Sequence, residues 1–127
     1  MPEFNKVKDS GERRSFNTGS VRDVRTGKGR YDLLSPLALR RLAQHTENGA
    51  AKYGDKNWEK GQPLSVYMDS MIRHAYNVLE GKKDEDHAAA MMWNAMAFIH
   101  TQEAIERGVL PRELNDLNDY TSSENGE

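Results

Sequence analysis

The residues best suited to chemistry lie in one internal stretch and in two later segments. Residues 47–58, ENGAAKYGDKNW, combine carboxylates, lysines, amides and aromatic rings. The later segments contribute Asp69, Arg73, His74, Asp86, His87 and Asn94. Carboxylates and imidazoles bind divalent cations, while lysine and arginine bind phosphate. The set therefore predicts a site that holds a metal ion and a phosphate-bearing ligand.

Glu47 is a candidate metal ligand because of its place in a helical pattern. It follows Ala43 by four residues and precedes Ala50 by three, so helical spacing places its carboxylate on the core-facing side. A buried charge is costly unless it is compensated, and a divalent cation is the simplest compensation. An ion pair with a nearby arginine or lysine is the alternative, and the sequence does not separate the two.

Asp69 and Arg73 are four residues apart on a second predicted helix, beside His74. This spacing, taken alone, favours an intrahelical ion pair that contributes about 0.3–0.5 kcal/mol. His74, taken alone, is more often a hydrogen-bonded histidine than a ligand. The functional interpretation of these residues therefore depends on the rest of the set.

The third predicted helix opens with Asp86 and His87, and Asn94 returns to the face of His87 two turns later. Asn94 is the single amide in an otherwise apolar stretch from Ala88 to Ile99, so it needs polar partners if it is buried. It could hold a ligand or a metal-bound water, or it could form a hydrogen bond with the backbone of another helix.

Two further segments have the composition of a nucleotide site. A glycine-punctuated loop brings together cations, an amide and aromatic rings that could bind phosphates and a base, namely Lys52, Tyr53, Lys56, Asn57 and Trp58. Lys28 and Arg30 lie among glycines in the first part of the chain, as in a phosphate cradle, but without P-loop spacing. A solvated loop and a flexible basic tail are the respective alternatives.

Helical elements must position these residues. Ser35 and Pro36 predict the start of a first helix that runs to about Lys52 and ends at Gly54. Ser65 predicts the cap of a second helix that Gly81 stops. The third helix follows Asp84–Asp86, and Pro111 predicts a short last helix. No segment shows the alternation of a strand.

The fold class that follows is all-α, a small helical bundle completed by oligomerisation as a homodimer or homotetramer, because three main helices leave apolar surface uncovered. Residues 1–30 are predicted to form an extended basic arm, with ordered structure beginning near Tyr31. Residues 31–117 form the helical domain, and residues 118–127 a flexible tail.

Composition narrows the possible functions. The chain has 127 residues, enough for one domain, and no cysteine, so any metal must be held by carboxylate, imidazole or amide. A net charge of −2 argues against a general nucleic-acid binder. The absence of a long apolar run argues against a membrane span, so we expect a soluble cytoplasmic protein, in the host cytoplasm if a phage encodes it.

Five segments carry a family resemblance: FNTGSVRD, GKGRYDLLSPLALRRLA, ENGAAKYGDKNWEKGQPLS, MDSMIRHAYNVLEG and DEDHAAAMMWNA. Together they resemble the phage and bacterial dATP/dGTP diphosphohydrolase family (N-terminal domain), which belongs with the MazG-like all-α NTP pyrophosphohydrolases. The resemblance implies a Mg²⁺- or Mn²⁺-dependent enzyme that splits dGTP or dATP into the monophosphate and pyrophosphate. In some phages this reaction is a step toward diaminopurine-containing DNA.

The resemblance also implies roles for individual residues. The candidate metal ligands are Glu47, Asp69, Asp86 and His74, and the candidate catalytic residues are Glu47, Asp69 and His87. The phosphate contacts are Lys28, Arg30, Lys52 and Arg73, and the sugar or base contacts are Tyr53, Asn57, Trp58 and Asn94. The usual superfamily pair of E-x-x-E and E-x-x-D motifs is absent, so a rearranged carboxylate set is implied.

The mechanism expected from these roles is attack of a cation-activated water on the α-phosphorus, with a carboxylate or His87 taking the proton. Two functions of other classes compete with it. One is a sensor that binds the same nucleotide without hydrolysing it. The other is a helical interaction module in which the charged residues are only solvated.

Overall fold

In the computed structural model, residues 7–121 are described, and they divide into two compact units, one ending at Leu34 and the other beginning at Ser35. The first unit contains an antiparallel hairpin of β1 (Arg13–Ser15) and β2 (Val21–Asp23), followed by a 3₁₀ turn at Tyr31–Leu33. The sequence shows no strand alternation, so this hairpin was not predicted, and it lies before Tyr31, where ordered structure was expected to begin.

The hairpin forms because a tight turn closes it. The Phe16 amide donates to the Ser20 carbonyl at 3.0 Å, and Gly19, at φ +89°, donates back to the Phe16 carbonyl. Strands of three residues are too short to show a period-two pattern, which explains why the sequence gives no strand signal.

The second unit is helical, as predicted. It contains α1 (Pro36–Tyr53), α2 (Leu64–Leu79) and α3 (His87–Glu106), with 3₁₀ turns at Asn57–Lys60 and Arg112–Leu114. Three helices and one very small sheet confirm the all-α class within the described residues. The helix predicted at Pro111 is only the second of these short turns.

Local signals explain most helix ends. Ser35 caps α1 by accepting from the Ala38 amide at 3.1 Å, and Gly54, at φ +93°, ends it. Helix α2 begins at Leu64 after Pro63, so the predicted Ser65 cap was wrong. Ser65 lies inside the first turn, where its hydroxyl donates to Asp116 at 2.5 Å.

The core lies between α2 and α3. Leu64 and Tyr67 of α2 are buried, the Tyr67 ring lies 6.4 Å from the Trp93 ring of α3, and the buried Thr101 of α3 bonds the Ala97 carbonyl at 2.8 Å. Buried alanines on one face of α3 let the two helices approach closely: Ala89, Ala90, Ala97 and Ala104. No residue of α1 is buried, so this helix covers the pair only loosely.

Gly61 brings the loop before α2 into close contact with the segment that follows α3. Its φ is +93°, and a Cβ there would lie 2.8 Å from Leu114 Cδ1 and 3.1 Å from Leu110 Cδ1. Gly61→Ala should therefore lower the free energy of unfolding by about 1–3 kcal/mol, through backbone strain and steric overlap. Urea unfolding measures this change.

Gly54→Ala is the matched control, because Gly54 has the same φ of +93° and nothing within 4 Å of its added Cβ. This variant reports backbone strain without overlap. If steric overlap contributes at Gly61, the free energy of unfolding should fall more for Gly61→Ala than for Gly54→Ala. Equal losses of unfolding free energy in the two variants would contradict this explanation.

Candidate functional site

Two histidines and a glutamate meet where α2 faces the start of α3. His74 of α2, Glu85 of the connecting loop and His87 of α3 each offer a ligand atom, and these atoms all lie within 4.8 Å of one another. We call this group the His–Glu cluster. Between residues 7 and 121 it is the one group of three or more such side chains that meets this distance. The turn between α2 and α3 brings it together.

The two imidazoles face each other. Nδ1 of His74 lies 2.9 Å from Nδ1 of His87, and Nε2 of His87 lies 2.8 Å from Asp84 Oδ1. Since the Asp84 carboxylate can only accept, the Nε2–H of His87 donates to it. In neutral His87, Nδ1 then carries the lone pair. The hydrogen bond from His87 lowers the pKa of Asp84, which keeps this carboxylate ionised.

This geometry fits a bound cation. The 2.9 Å separation is that of a hydrogen bond between the two rings, and two imidazole nitrogens that bind one ion at about 2.1 Å each and at right angles also lie about 3.0 Å apart. A carboxylate behind the second ring nitrogen, as Asp84 lies behind His87, commonly orients a metal-binding histidine. Burial is the largest effect on His74 and lowers its pKa, which favours the neutral, metal-binding imidazole.

The donor types do not single out one metal. The cluster offers two nitrogens and one carboxylate, whereas Mg²⁺ prefers oxygen ligands throughout. Mn²⁺ is also suited by oxygen ligands, and imidazole is typical of iron, zinc and other later first-row ions. The cluster therefore does not favour one of the two metals expected from the sequence over the other.

A cavity of about 450 Å³ opens from the cluster along α1, α2 and α3. His45, His74 and Glu85 line it, as do Trp58 and Gln62 of the loop between α1 and α2. Along α2 the lining residues recur every four positions, from Val66 through Ser70 to His74. At 1.5 Å per residue this row spans about 12 Å. The cavity is therefore elongated, with an imidazole and carboxylate end and an aromatic and amide end.

The polar side chains of α3 follow the same direction, from the His–Glu cluster toward the aromatic end. His87 begins the helix, Asn94 follows after seven residues, and His100 lies six residues further on. The His100 ring meets Trp58 edge to face at 4.7 Å between centroids. With the helical rise, Asn94 is about 10 Å from His87 and about 9 Å from His100 along the axis. Asn94, which lines the cavity, therefore lies between these two histidines along α3.

Asn94 offers a free acceptor there. Its side chain is 6% exposed, and its Nδ2 donates to the Ala90 carbonyl at 2.8 Å. No donor among residues 7–121 is hydrogen-bonded to its Oδ1, which leaves this oxygen for a ligand. Asn57, Trp58 and Tyr53 also line the cavity, so the structure brings all four predicted sugar or base contacts together.

The predicted carboxylate ligands lie elsewhere. Glu47 is exposed on α1, so its expected core-facing position was wrong. The Asp69 side chain is 80% exposed, with the Arg73 guanidinium at 3.8 Å, which is the intrahelical pair described as the alternative. Neither residue lines the cavity. Their assignment as metal ligands stays a prediction.

Asp86 has two structural partners. Its Oδ1 accepts from the Ala89 amide at 3.1 Å, which caps α3, and both carboxylate oxygens bind the Arg41 guanidinium, at 2.5 and 2.8 Å. The Arg41 hydrogen bonds and the cap lower the pKa of Asp86 to about 2. Its predicted role as a ligand also stays untested, although it is adjacent to the cluster in sequence.

The predicted phosphate-binding cations take varied positions. The exposed Lys52 places its ammonium 5.2 Å from the centre of the Tyr53 ring, while Lys56 lines the cavity. In the first unit, Lys28 bonds Asp23 at 2.9 Å, and Arg30 bonds Asp32 through two nitrogens. Arg30 also lines a separate cavity of about 320 Å³ between the glycines of its loop.

Sequence reasoning missed four residues that the structure brings to the site. Glu85 and Asp84 were treated only as helix-terminal charge, and Gln62 as loop. His45 went unnoticed, although it lines the cavity, stands 6.2 Å from the Trp93 ring and affects the pKa of His74. Its helical spacing from Gly49 and Tyr53, which line the same cavity, is the signal that could have found it.

No helix in the described part of the chain is both long and apolar enough to cross a membrane. A family model described as dATP/dGTP diphosphohydrolase, N-terminal, matches residues 18–109. The matched segment contains the His–Glu cluster and every residue that lines the cavity. No curated protein and no solved structure gives a significant match to the chain.

Proposed function

The chain belongs to the dATP/dGTP diphosphohydrolase, N-terminal, family, and from this premise we propose that it hydrolyses dATP and dGTP to the monophosphate and pyrophosphate with a divalent cation. The observation that carries the proposal is the elongated cavity, which has a metal-binding cluster at one end and aromatic and amide side chains at the other. A nucleoside triphosphate has its groups in the matching order, with metal-binding phosphates at one end and an aromatic base at the other.

The substrate would lie along the cavity. Its phosphates would face His74 and Glu85, and its base would face Trp58 and Tyr53, whose rings can stack on a purine. The sugar would then pass Asn94, whose free Oδ1 can accept a hydrogen bond from the 3′-hydroxyl. In this orientation the free Oδ1 of Asn94 has a partner on the nucleotide.

The cation would be held by His74, Glu85 and His87, with Asp84 orienting His87. When bound, it would supply neutralisation of phosphate charge and a lowered pKa for water. A water oxygen forms a bond to the α-phosphorus while the bond to the bridging oxygen breaks and pyrophosphate leaves. His45 lines the same end of the cavity and offers an imidazole nitrogen to accept the water's proton.

Two further parts of the proposal concern other surfaces. Lys28 and Arg30 are proposed to contact phosphate, since their loop offers two glycines with positive φ and a cavity lined by arginine. Exposed apolar side chains on the helices are proposed to pair subunits into a homodimer or homotetramer: Leu37, Ile72, Tyr76 and Leu79.

The experiment is product analysis with the four dNTPs and the four NTPs, each in Mn²⁺, Mg²⁺ or EDTA. We expect dAMP or dGMP with equimolar pyrophosphate in Mg²⁺ or Mn²⁺, and no product in EDTA. A raised melting temperature with dATP and no product would show a nucleotide sensor instead. The absence of both nucleotide binding and product would favour the interaction module. If a phage encodes the protein, we expect its dGMP to feed diaminopurine nucleotide synthesis.

A further inference from the structure

The loop end of the cavity carries a glutamine that no role above accounts for. We propose that the side-chain amide of Gln62 reads the edge of the purine base and lets one site accept both adenine and guanine. This inference rests on the proposed function, because it assigns base selection within the same cavity.

The backbone of Gln62 is held from both sides. The preceding Gly61 donates its amide to the Trp58 carbonyl at 3.1 Å and packs tightly under Leu110 and Leu114. The following Pro63, at φ −56°, precedes the first residue of α2. A residue between such neighbours has little backbone freedom, so the Cβ atom of Gln62 has a fixed position.

The aromatic part of this end is held as well. The Trp58 carbonyl also accepts from the hydroxyl of the buried Tyr67 at 3.4 Å, and the Trp58 ring meets His100 edge to face. Gln62 therefore has a constant position relative to the ring that is proposed to stack on the base. Selection by hydrogen bonds depends on such a constant geometry.

The Gln62 amide is available for a ligand. The residue is partly buried, it lines the cavity, and its side chain forms no hydrogen bond with any residue from 7 to 121. A bound base offers this amide both a donor and an acceptor.

The chemistry of an amide explains dual recognition. Adenine presents a donor at N6 and an acceptor at N1, and guanine presents an acceptor at O6 and a donor at N1. The Gln62 amide carries one oxygen acceptor and one nitrogen donor, and a half-turn about its last torsion exchanges them. It can therefore form two hydrogen bonds with either purine, which a carboxylate or an ammonium cannot do.

The test is Gln62→Glu. A carboxylate accepts from both N1–H and the 2-amino group of guanine but opposes N1 of adenine, so the ratio of kcat/KM for dGTP to that for dATP should rise by about 10- to 100-fold. Gln62→Leu should lower kcat/KM for both and leave the ratio within about threefold of wild type. The wild type should use dITP as well as dGTP, and Gln62→Glu should prefer dGTP to dITP.

Asn57→Asp is the matched control, because Asn57 is the other unpaired amide at this end of the cavity. An unchanged ratio in Gln62→Glu overturns the inference, and so does a larger change in Asn57→Asp. Calorimetric binding of dATP and dGTP with Ca²⁺ gives the same ratios without turnover. A failure of hydrolysis alone therefore counts against the proposed function and leaves the base-selection test intact.

Discussion

Replacement of Glu85 by glutamine is expected to lower kcat/KM for dATP in Mn²⁺ by at least about 100-fold. The change removes the single carboxylate of the His–Glu cluster, and even residues that only orient metal ligands contribute 10- to 100-fold to affinity or activity. The Glu85 side chain is exposed and has no ion pair among the described residues, so the melting temperature without metal should not change. Steady-state kinetics and Mn²⁺ titration calorimetry measure the two effects.

Glu47→Gln is the matched control for this prediction. Both glutamates are exposed, but only Glu85 lies in the cluster. The structural assignment requires that Mn²⁺ affinity falls with Glu85→Gln and persists with Glu47→Gln. The reverse result would restore the ligand set predicted from the sequence, which includes Glu47 and His74, and would remove Glu85 from the metal site.

Asn94→Leu should raise KM for dATP by about 10- to 100-fold, because it replaces the acceptor proposed for the 3′-hydroxyl with an apolar group of similar size. The helix should remain intact, since the Ala90 carbonyl is also accepting from the Asn94 backbone amide in the α-helical pattern. Circular dichroism checks the fold, and steady-state kinetics measure KM.

The control substrate is 2′,3′-dideoxy-ATP, which lacks the hydroxyl group. Wild type and Asn94→Leu should have similar KM values for it, because the lost interaction is absent in both cases. An equal penalty for dATP and the dideoxy substrate would place the role of Asn94 in cavity packing and would contradict the sugar contact.

The helices could be predicted because their signals are local. The bounds of α1 are predicted almost to the residue by Ser35 and Pro36 at its start and Gly54 at its end. Each of these residues acts within one turn of the helix end that it marks. The Ser65 error has a local cause too, since Pro63 occupies the N-cap position of α2, two residues before Ser65.

The site was harder to predict because it depends on which helix faces meet. His74 and His87 could be named as chemical residues, but their 2.9 Å contact depends on the turn that folds α3 back on α2. Glu47 was misplaced for a related reason. Its alanine neighbours predict a buried face, but α1 buries no residue in the described chain.

His87, Asn94 and His100 share one helix that is continuous from His87 to Glu106. The distances along the helix among the proposed metal site, the proposed sugar acceptor and the contact to Trp58 are therefore set by residue count, and they do not depend on loop conformation. Because each added residue turns a helix by about 100°, an insertion or deletion between His87 and Asn94, which share one face, would point one of them away from the other. Over evolutionary time the side chains along this segment can change one by one, but its length cannot.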